Sequence, residues 1–231
     1  MRFVLVHGAW CRAVHWGRVP ALLRQAGHDV LAIDLPDSPA ADITLDAYAN
    51  AILDATIKGD LLVGHSMGGM AISAAAARDP ERFPHMVYVA AFLPEDGQSL
   101  IDIKKSDSRS LIDSVQVEDA HSTRLIAAKA GGELMHDAPQ DLVDWAAAQL
   151  RAQPNRPQTD PFSMHDPRFR LIPKTFVQCL NDRVITPAKQ AAMSGAAPIC
   201  TTIPIPTGHF PQLSHPQMLS DILLSIHTEL H

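Results

Sequence analysis

Cysteine is scarce in this chain of 231 residues, and long hydrophobic runs are absent. The three cysteines, Cys11, Cys179 and Cys200, are odd in number and have no metal-ligand spacing. Neither a disulfide framework nor a zinc site is therefore expected. The apolar run at residues 3–6 is too short for a signal-peptide core or a membrane span, so we expect a cytoplasmic protein.

Charge is also sparse and slightly acidic. Charged residues make up 19% of the chain, the formal net charge is -6, and no run of basic residues occurs. This balance disfavours binding to nucleic acid or to an anionic membrane. Because 46% of the residues are hydrophobic, the chain can bury the core of one large domain or of a domain with an insertion.

The most informative motif is Gly-His-Ser-Met-Gly-Gly at residues 64–69. It contains a Gly-x-Ser-x-Gly pentapeptide between an apolar segment typical of a buried strand and an alanine-rich segment typical of a helix. A sharp strand-to-helix turn of this kind exposes its serine at the tip of a sheet, and the glycines leave room for the crowded backbone. The motif predicts that Ser66 is a nucleophile.

The rest of the chain alternates between predicted strands and helices. Such alternation predicts an α/β protein with a doubly wound, mainly parallel sheet of about six strands. Ligands of such sheets bind at the carboxyl ends of the strands. The predicted strands cover residues 3–6, 29–33, 60–63, 86–91, 175–179 and 201–205, and the predicted helices cover residues 14–25, 45–57, 67–78, 187–195 and 216–229.

One long segment interrupts this alternation. Residues 94–173 contain helical patterns at 119–130 and 139–151 and no convincing buried strand, so we interpret them as a helical cap inserted into a core of residues 1–93 and 174–231. The alternative is a surface excursion without a role in binding. Several large apolar side chains of the segment need a surface to bury against, and a cleft at the sheet edge would provide one. They are Leu134, Met135, Trp145, Phe162 and Met164.

A nucleophilic serine needs a base, and the base needs a carboxylate to orient it. The loop after the fifth predicted strand carries Asp182, and the loop after the sixth carries His209, which gives the chain order serine, acid, histidine. Glu95 and Asp96, just after the fourth strand, are the alternative acids. Asp34 precedes the serine and is interpreted as a loop-organising residue, although it also follows a strand.

An oxyanion hole requires two donors directed at the carbonyl oxygen as it gains charge. The first is expected from the backbone amide of Met67, and the second from the loop after the first strand, where Ala9 is the candidate. In that loop the ring of His7 is expected to brace the backbone without transferring a proton. A metal site at His7 and His65 would need a third ligand, and the sequence suggests none.

These motifs resemble the α/β-hydrolase fold. The resemblance rests on the segment 7–10, the motif at 64–69, Asp182 in Asn-Asp-Arg-Val and His209 in Gly-His-Phe. The segments 3–9 and 26–28 with Asp34 and Leu35 are similar to the plant branch of methylesterases and hydroxynitrile lyases, including the salicylate-binding methylesterases. The similarity covers the core on both sides of the cap.

Two positions separate the hydrolases of this branch from its lyases. The resembling lyases have a threonine where this chain has Gly8, and a lysine, which can stabilise departing cyanide, where it has Phe210. Cyanohydrin cleavage is therefore disfavoured, because the apolar Phe210 provides no positive charge.

The sequence thus predicts a serine carboxylesterase that works through an acyl-enzyme, without cofactor or metal. The expected partner is a small or medium, largely apolar ester or lactone, and a homodimer is left open. The alternatives are a small-molecule receptor and a cofactor-free lyase or cyclase. The pocket is expected to contain Trp10, Met67, Trp145, Phe162 and Phe210.

Overall fold

A parallel sheet of six strands forms the centre of the molecule. The computed structural model describes residues 2–108, 110 and 114–229. The strands that it describes are β1 (Arg2–Val6), β2 (Asp29–Ile33), β3 (Leu61–His65), β4 (Met86–Val89), β5 (Val115–Val117), β6 (Ser122–Leu125), β7 (Gln153–Pro154), β8 (Lys174–Cys179) and β9 (Cys200–Ile205). The main sheet has the order β2-β1-β3-β4-β8-β9, and its neighbouring strands are all parallel. The predicted fold class is confirmed.

Helices cover both faces of this sheet. Along β1, Val4 and Val6 belong to one hydrophobic cluster and Phe3 and Leu5 to another, because successive side chains of a strand point to opposite faces. The first cluster includes residues of α2, α3 and α8, and the second includes residues of α1 and α10. The described helices are α1 (Val19–Gln25), α2 (Leu45–Ala55), α3 (Gly68–Ala76), α4 (Leu100–Lys105), α5 (Ala127–Leu134), α6 (Gln140–Ala148), α7 (Arg156–Thr159), α8 (Pro187–Ala196), α9 (Pro211–Ser214) and α10 (Pro216–Glu229).

Local chemistry explains where the core elements begin and end. The hydroxyl of Thr44 accepts a hydrogen bond from Ala47 N at 2.9 Å and so caps α2. The single helix predicted at residues 14–25 is instead a short 3-10 turn, Ala13–Trp16, followed by α1, because Gly17 breaks the helix with a φ of 54°. No described helix is both long and apolar enough to cross a membrane.

The segment 94–173 contains more than helices. It carries α4 to α7, a 3-10 helix at Pro167–Leu171 and a small antiparallel sheet of β5, β6 and β7. The predicted helix at 119–130 is therefore wrong up to residue 126, and only its last four residues lie in a helix, α5. The segment also contains strands, of which β5 is exposed. Asp119 Oδ1 accepts hydrogen bonds from His121 N at 2.7 Å and Ser122 Oγ at 2.9 Å, which stabilises the turn between β5 and β6. Helix α5 begins only after this hairpin.

Candidate active site

The turn from β3 into α3 places Ser66 in a strained conformation at the end of the sheet. Its φ is 53°, in the left-handed region that non-glycine residues rarely adopt. The flanking glycines are sterically required: a Cβ on Gly64 would lie 2.8 Å from Gly68 C, and a Cβ on Gly68 would lie 2.5 Å from Val6 O. Only glycine permits this close approach of the backbone segments.

The structure brings Ser66, His209 and Asp182 into one hydrogen-bonded chain. His209 Nε2 lies 3.0 Å from Ser66 Oγ, and His209 Nδ1 lies 2.7 Å from Asp182 Oδ2. Ser66 follows β3, Asp182 follows β8 and His209 follows β9, so three loops at the carboxyl edge of the sheet meet here. All three residues are buried. In this geometry His209 Nδ1 donates its proton to a hydrogen bond with Asp182, and Nε2 is the acceptor that faces the hydroxyl of Ser66.

Further hydrogen bonds fix the carboxylate of Asp182. Its Oδ1 accepts from Val184 N at 2.7 Å and from Ile185 N at 3.1 Å. Its Oδ2 also accepts from Gln190 Nε2 at 2.9 Å, and the fully buried Gln190 is itself held by the backbone of Cys179. Gln190 was not predicted from the sequence, because a glutamine on an ordinary helix carries no motif.

The alternative acids lie elsewhere. Glu95 and Asp96 are exposed and line a different cavity, and Asp96 Oδ1 accepts from Met164 N at 2.7 Å. Asp34 Oδ1 accepts from Ala13 N at 2.7 Å and so organises its loop. Of these four acids, Asp182 alone is hydrogen-bonded to His209 within the described residues.

Two backbone amides next to Ser66 are unused by the fold. Neither Ala9 N nor Met67 N donates a hydrogen bond to any residue that the structure describes, and both residues line the cavity that contains Ser66. Buried backbone amides without a partner are rare in folded proteins. A pair of them beside a buried serine is suited to stabilise an oxyanion.

Two buried histidines shape the backbone around the site. His7 Nε2 accepts from Leu35 N at 3.0 Å while Nδ1 donates to Gly8 O at 2.8 Å, and burial lowers the pKa of His7 to about 4. His65 Nε2 donates to His209 O at 2.8 Å. Burial, reinforced by the nearby His209, holds the pKa of His65 well below its usual range. Both rings are therefore neutral braces at pH 7.

The cavity at Ser66 is small and mostly apolar. Its volume is about 30 Å³, which holds about one or two water molecules. Trp10, Met67 and Phe210 line it, as the sequence predicts. Residues from the cap segment also line it, namely Leu100, Lys104, Leu134 and Gln158. Lys104 and Gln158 were not predicted, since nothing in the local sequence distinguishes them from surface residues.

Two predicted pocket residues lie outside this lining. Trp145 is 42% exposed on α6, with its ring centroid 6.4 Å from that of His15. Phe162 is buried, but its ring packs against Phe169 at 5.5 Å, within the cap segment. In this structure Trp145 and Phe162 therefore do not line the cavity at Ser66, because the side chain of Trp145 is partly exposed to solvent and that of Phe162 packs within the cap.

The cap segment bonds directly to two loops of the site. Trp10 N donates to Gln153 Oε1 at 3.2 Å, Trp10 Nε1 donates to Thr123 Oγ1 at 3.2 Å, and Trp10 O accepts from Arg151 N at 2.8 Å. On the other side, Gly208 N donates to Asp137 Oδ2 at 2.6 Å. The loop next to Ala9 and the loop next to His209 are thus each anchored by the cap. In the described part of the chain, no cluster of three His, Cys, Asp or Glu side chains could hold a metal ion.

Comparison with known proteins identifies relatives of this chain. Methylesterase 7 of Arabidopsis thaliana is 29% identical over 254 residues, covering 97% of this chain and 95% of that protein. Putative methylesterase 11, chloroplastic, of the same plant is 28% identical over 250 residues, and this match spans 97% of the chain but only 63% of that protein. Tomato methylketone synthase I complexed with 2-tridecanone has the same fold, with a TM-score of 0.86 at 23% identity over 100% of this chain and 98% of that one.

These relatives confirm the resemblance to the plant methylesterase branch. The model described as "Alpha/beta hydrolase family" matches residues 3–222. With its six-stranded parallel sheet and its strained serine turn after β3, this chain belongs to the alpha/beta hydrolase family.

Proposed function

We propose that this protein hydrolyses a carboxylic ester through an acyl-enzyme on Ser66. The observation that carries the proposal is the unbroken chain from Ser66 Oγ through His209 to Asp182, at 3.0 Å and 2.7 Å. The amides of Ala9 and Met67, which have no acceptor among the described residues and lie beside the same serine, support it further. The similarity to proteins named methylesterases agrees with this chemistry.

Each of these groups has one role in the proposed reaction. His209 Nε2 takes the proton of Ser66 as the oxygen attacks the ester carbonyl, and Asp182 stabilises the resulting imidazolium. The amides of Ala9 and Met67 donate to the tetrahedral oxyanion. His209 then returns the proton to the departing alcohol, and water repeats the sequence on the acyl group. None of these steps requires a cofactor.

The lining of the cavity favours a small or medium ester with a largely apolar body. Apolar side chains dominate the walls, including Trp10, Phe92 and Phe210. The enclosed space of about 30 Å³ is small, so we expect side chains of the cap to shift when substrate binds.

Gly8 and Phe210 support hydrolysis over cyanohydrin cleavage. A Cβ on Gly8 would lie 2.8 Å from Ser66 Cβ, so this chain has no space for a threonine there without moving the nucleophile. The ring of Phe210 contacts that of His65 edge-on, with centroids 4.6 Å apart, and brings no positive charge to the site.

The direct test compares wild type with Ser66→Ala in the hydrolysis of p-nitrophenyl acetate. We expect kcat to fall by a factor on the order of 10⁶, the loss typical of a removed triad nucleophile. Ser106→Ala, at the end of α4, is the matched control and should leave kcat unchanged. Mass spectrometry should also find a fluorophosphonate adduct on Ser66. Equal turnover by wild type and Ser66→Ala would refute the proposal, and tight ligand binding without any turnover would indicate a receptor.

A further inference from the structure

The cavity at Ser66 contains polar groups that the proposed reaction does not use. Apart from the catalytic groups and the ring of His65, the polar side chains in its described lining are those of Lys104 and Gln158. Both come from the cap segment, Lys104 from α4 and Gln158 from α7. Among the described residues of the lining none is acidic. The cavity therefore favours an oxygen acceptor at this wall over a cation.

Gln158 is the more informative of the two. It is only 8% exposed, and its backbone N donates to Asn155 O at 3.0 Å within the short helix α7. Its side-chain amide, in contrast, has no hydrogen-bond partner among the residues that the structure describes. Neither polar atom of this amide is among the fully buried ones that lack a partner, so the amide keeps access to the cavity that it lines, where a ligand group can bind it.

We infer that Gln158 is a specificity-determining residue that binds a second oxygen-bearing group on the acyl part of the substrate. The inference rests on the proposed ester hydrolysis. The group is a ketone or a carboxylate, since the Gln158 amide can donate to either. The substrate class is therefore an ester of an oxo acid or a half-ester of a dicarboxylic acid, with an otherwise apolar chain.

Matched substrates test this class. Methyl hexanoate is the apolar reference, and its analogues carry a ketone at the third, fourth or fifth carbon of the acyl chain. Monomethyl glutarate places a carboxylate where the fifth-carbon ketone stands. For wild type we expect kcat/KM for at least one oxygen-bearing ester to exceed that for methyl hexanoate by about tenfold or more, because a site built to hydrogen-bond a substrate group discriminates against analogues that lack it.

Substitutions then assign the preference to Gln158. In Gln158→Leu, which keeps a side chain of similar size, we expect this ratio of kcat/KM values to fall to about one. Gln149→Leu removes an amide from the cap outside the cavity and should keep the wild-type ratio. Gln158→Glu serves as a second variant, with folding checked by thermal melting, and should selectively disfavour the glutarate half-ester. A preference for the glutarate half-ester that is lost in Lys104→Met would identify the group as a carboxylate, and a preference for an oxo ester that Lys104→Met keeps would identify it as a ketone.

The inference is overturned if wild type hydrolyses methyl hexanoate as well as every oxygen-bearing ester, or if Gln158→Leu keeps the wild-type ratio. Both outcomes are distinguishable from failure of the proposed function, in which Ser66 would not be acylated by p-nitrophenyl acetate at all.

Discussion

Replacing Asp137 by alanine tests whether the cap helps to position His209. Asp137 lies between α5 and α6, and its Oδ2 accepts a hydrogen bond from Gly208 N at 2.6 Å, one residue before His209. The loop and the cap are in close contact here, because a Cβ on Gly208 would lie 2.6 Å from Asp137 Oδ1 and 2.7 Å from His136 Cε1. The backbone of the histidine loop therefore rests directly on the cap.

The magnitude follows from this geometry. A hydrogen bond to a charged acceptor contributes about 1.5–3 kcal/mol. Asp137 Oδ1 is buried without a hydrogen-bond partner in the described residues, which offsets part of that gain, so we expect the loss of stability at the low end of this range. The catalytic effect is larger, because His209 must reach Ser66 and Asp182 at once and a misplacement of about 1 Å can cost about 10²-fold. We expect kcat to fall by about ten- to a hundredfold and KM to stay within about threefold.

Asp137→Asn separates positioning from stability. Its amide oxygen can still accept from Gly208 N, so kcat should recover most of the loss seen in Asp137→Ala. Steady-state kinetics with p-nitrophenyl acetate and thermal melting of both variants provide the measurements. A wild-type kcat in Asp137→Ala, or an equal loss of kcat in both variants, would refute this role of Asp137.

Three further results are expected. Gln190→Leu removes the donor to Asp182 and leaves buried polar atoms unpaired, so kcat should fall and chemical denaturation should show a loss of about 1–3 kcal/mol. The pKa of His7 is about 4 in the folded protein, below its unfolded value of about 6.5. The stability that the neutral ring contributes is therefore complete above pH 6.5 and is lost as the pH falls from 6.5 to 4. Urea unfolding should show about 2 kcal/mol lost at pH 5 from His7 alone. Gly8→Ala places a Cβ 2.8 Å from Ser66 Cβ, so kcat should drop at least about tenfold while circular dichroism stays unchanged, and retained activity would show that the loop yields.

The elements that sequence reasoning located are those fixed by local chemistry. The turn at Ser66 needs its glycines because Val6 O and Gly68 C lie where side chains would otherwise be. Asp182 and His209 are far apart in sequence, but both follow parallel strands, whose carboxyl ends meet at one edge of the sheet. Their positions along the chain therefore predicted that they would meet.

The cap was harder to predict because its structure depends on contacts between distant segments. The hairpin of β5 and β6 replaces a predicted helix, with Asp119 at its turn and a third strand, β7, contributed from residues 153–154. Trp145 and Phe162 are large apolar residues of the kind that line pockets. However, Trp145 on α6 is partly exposed to solvent, and Phe162 packs against Phe169. Gln158 reaches the cavity only through the packing of α7, which leaves no pattern in its own sequence.

Different parts of the cap line the cavity and anchor the catalytic loops, and this separation bears on how substrate enters the small cavity. Leu100, Lys104 and Gln158, which line it, belong to α4 and α7. The two anchors of the catalytic loops, Asp137 and Gln153, lie outside these helices, one in a connecting loop and the other in β7. Side chains of α4 and α7 can therefore shift to enlarge the cavity while both anchors remain in place. Because the reaction needs room for an ester and fixed positions for its catalytic groups, we expect substrate to displace the lining side chains and to leave the two anchors in place.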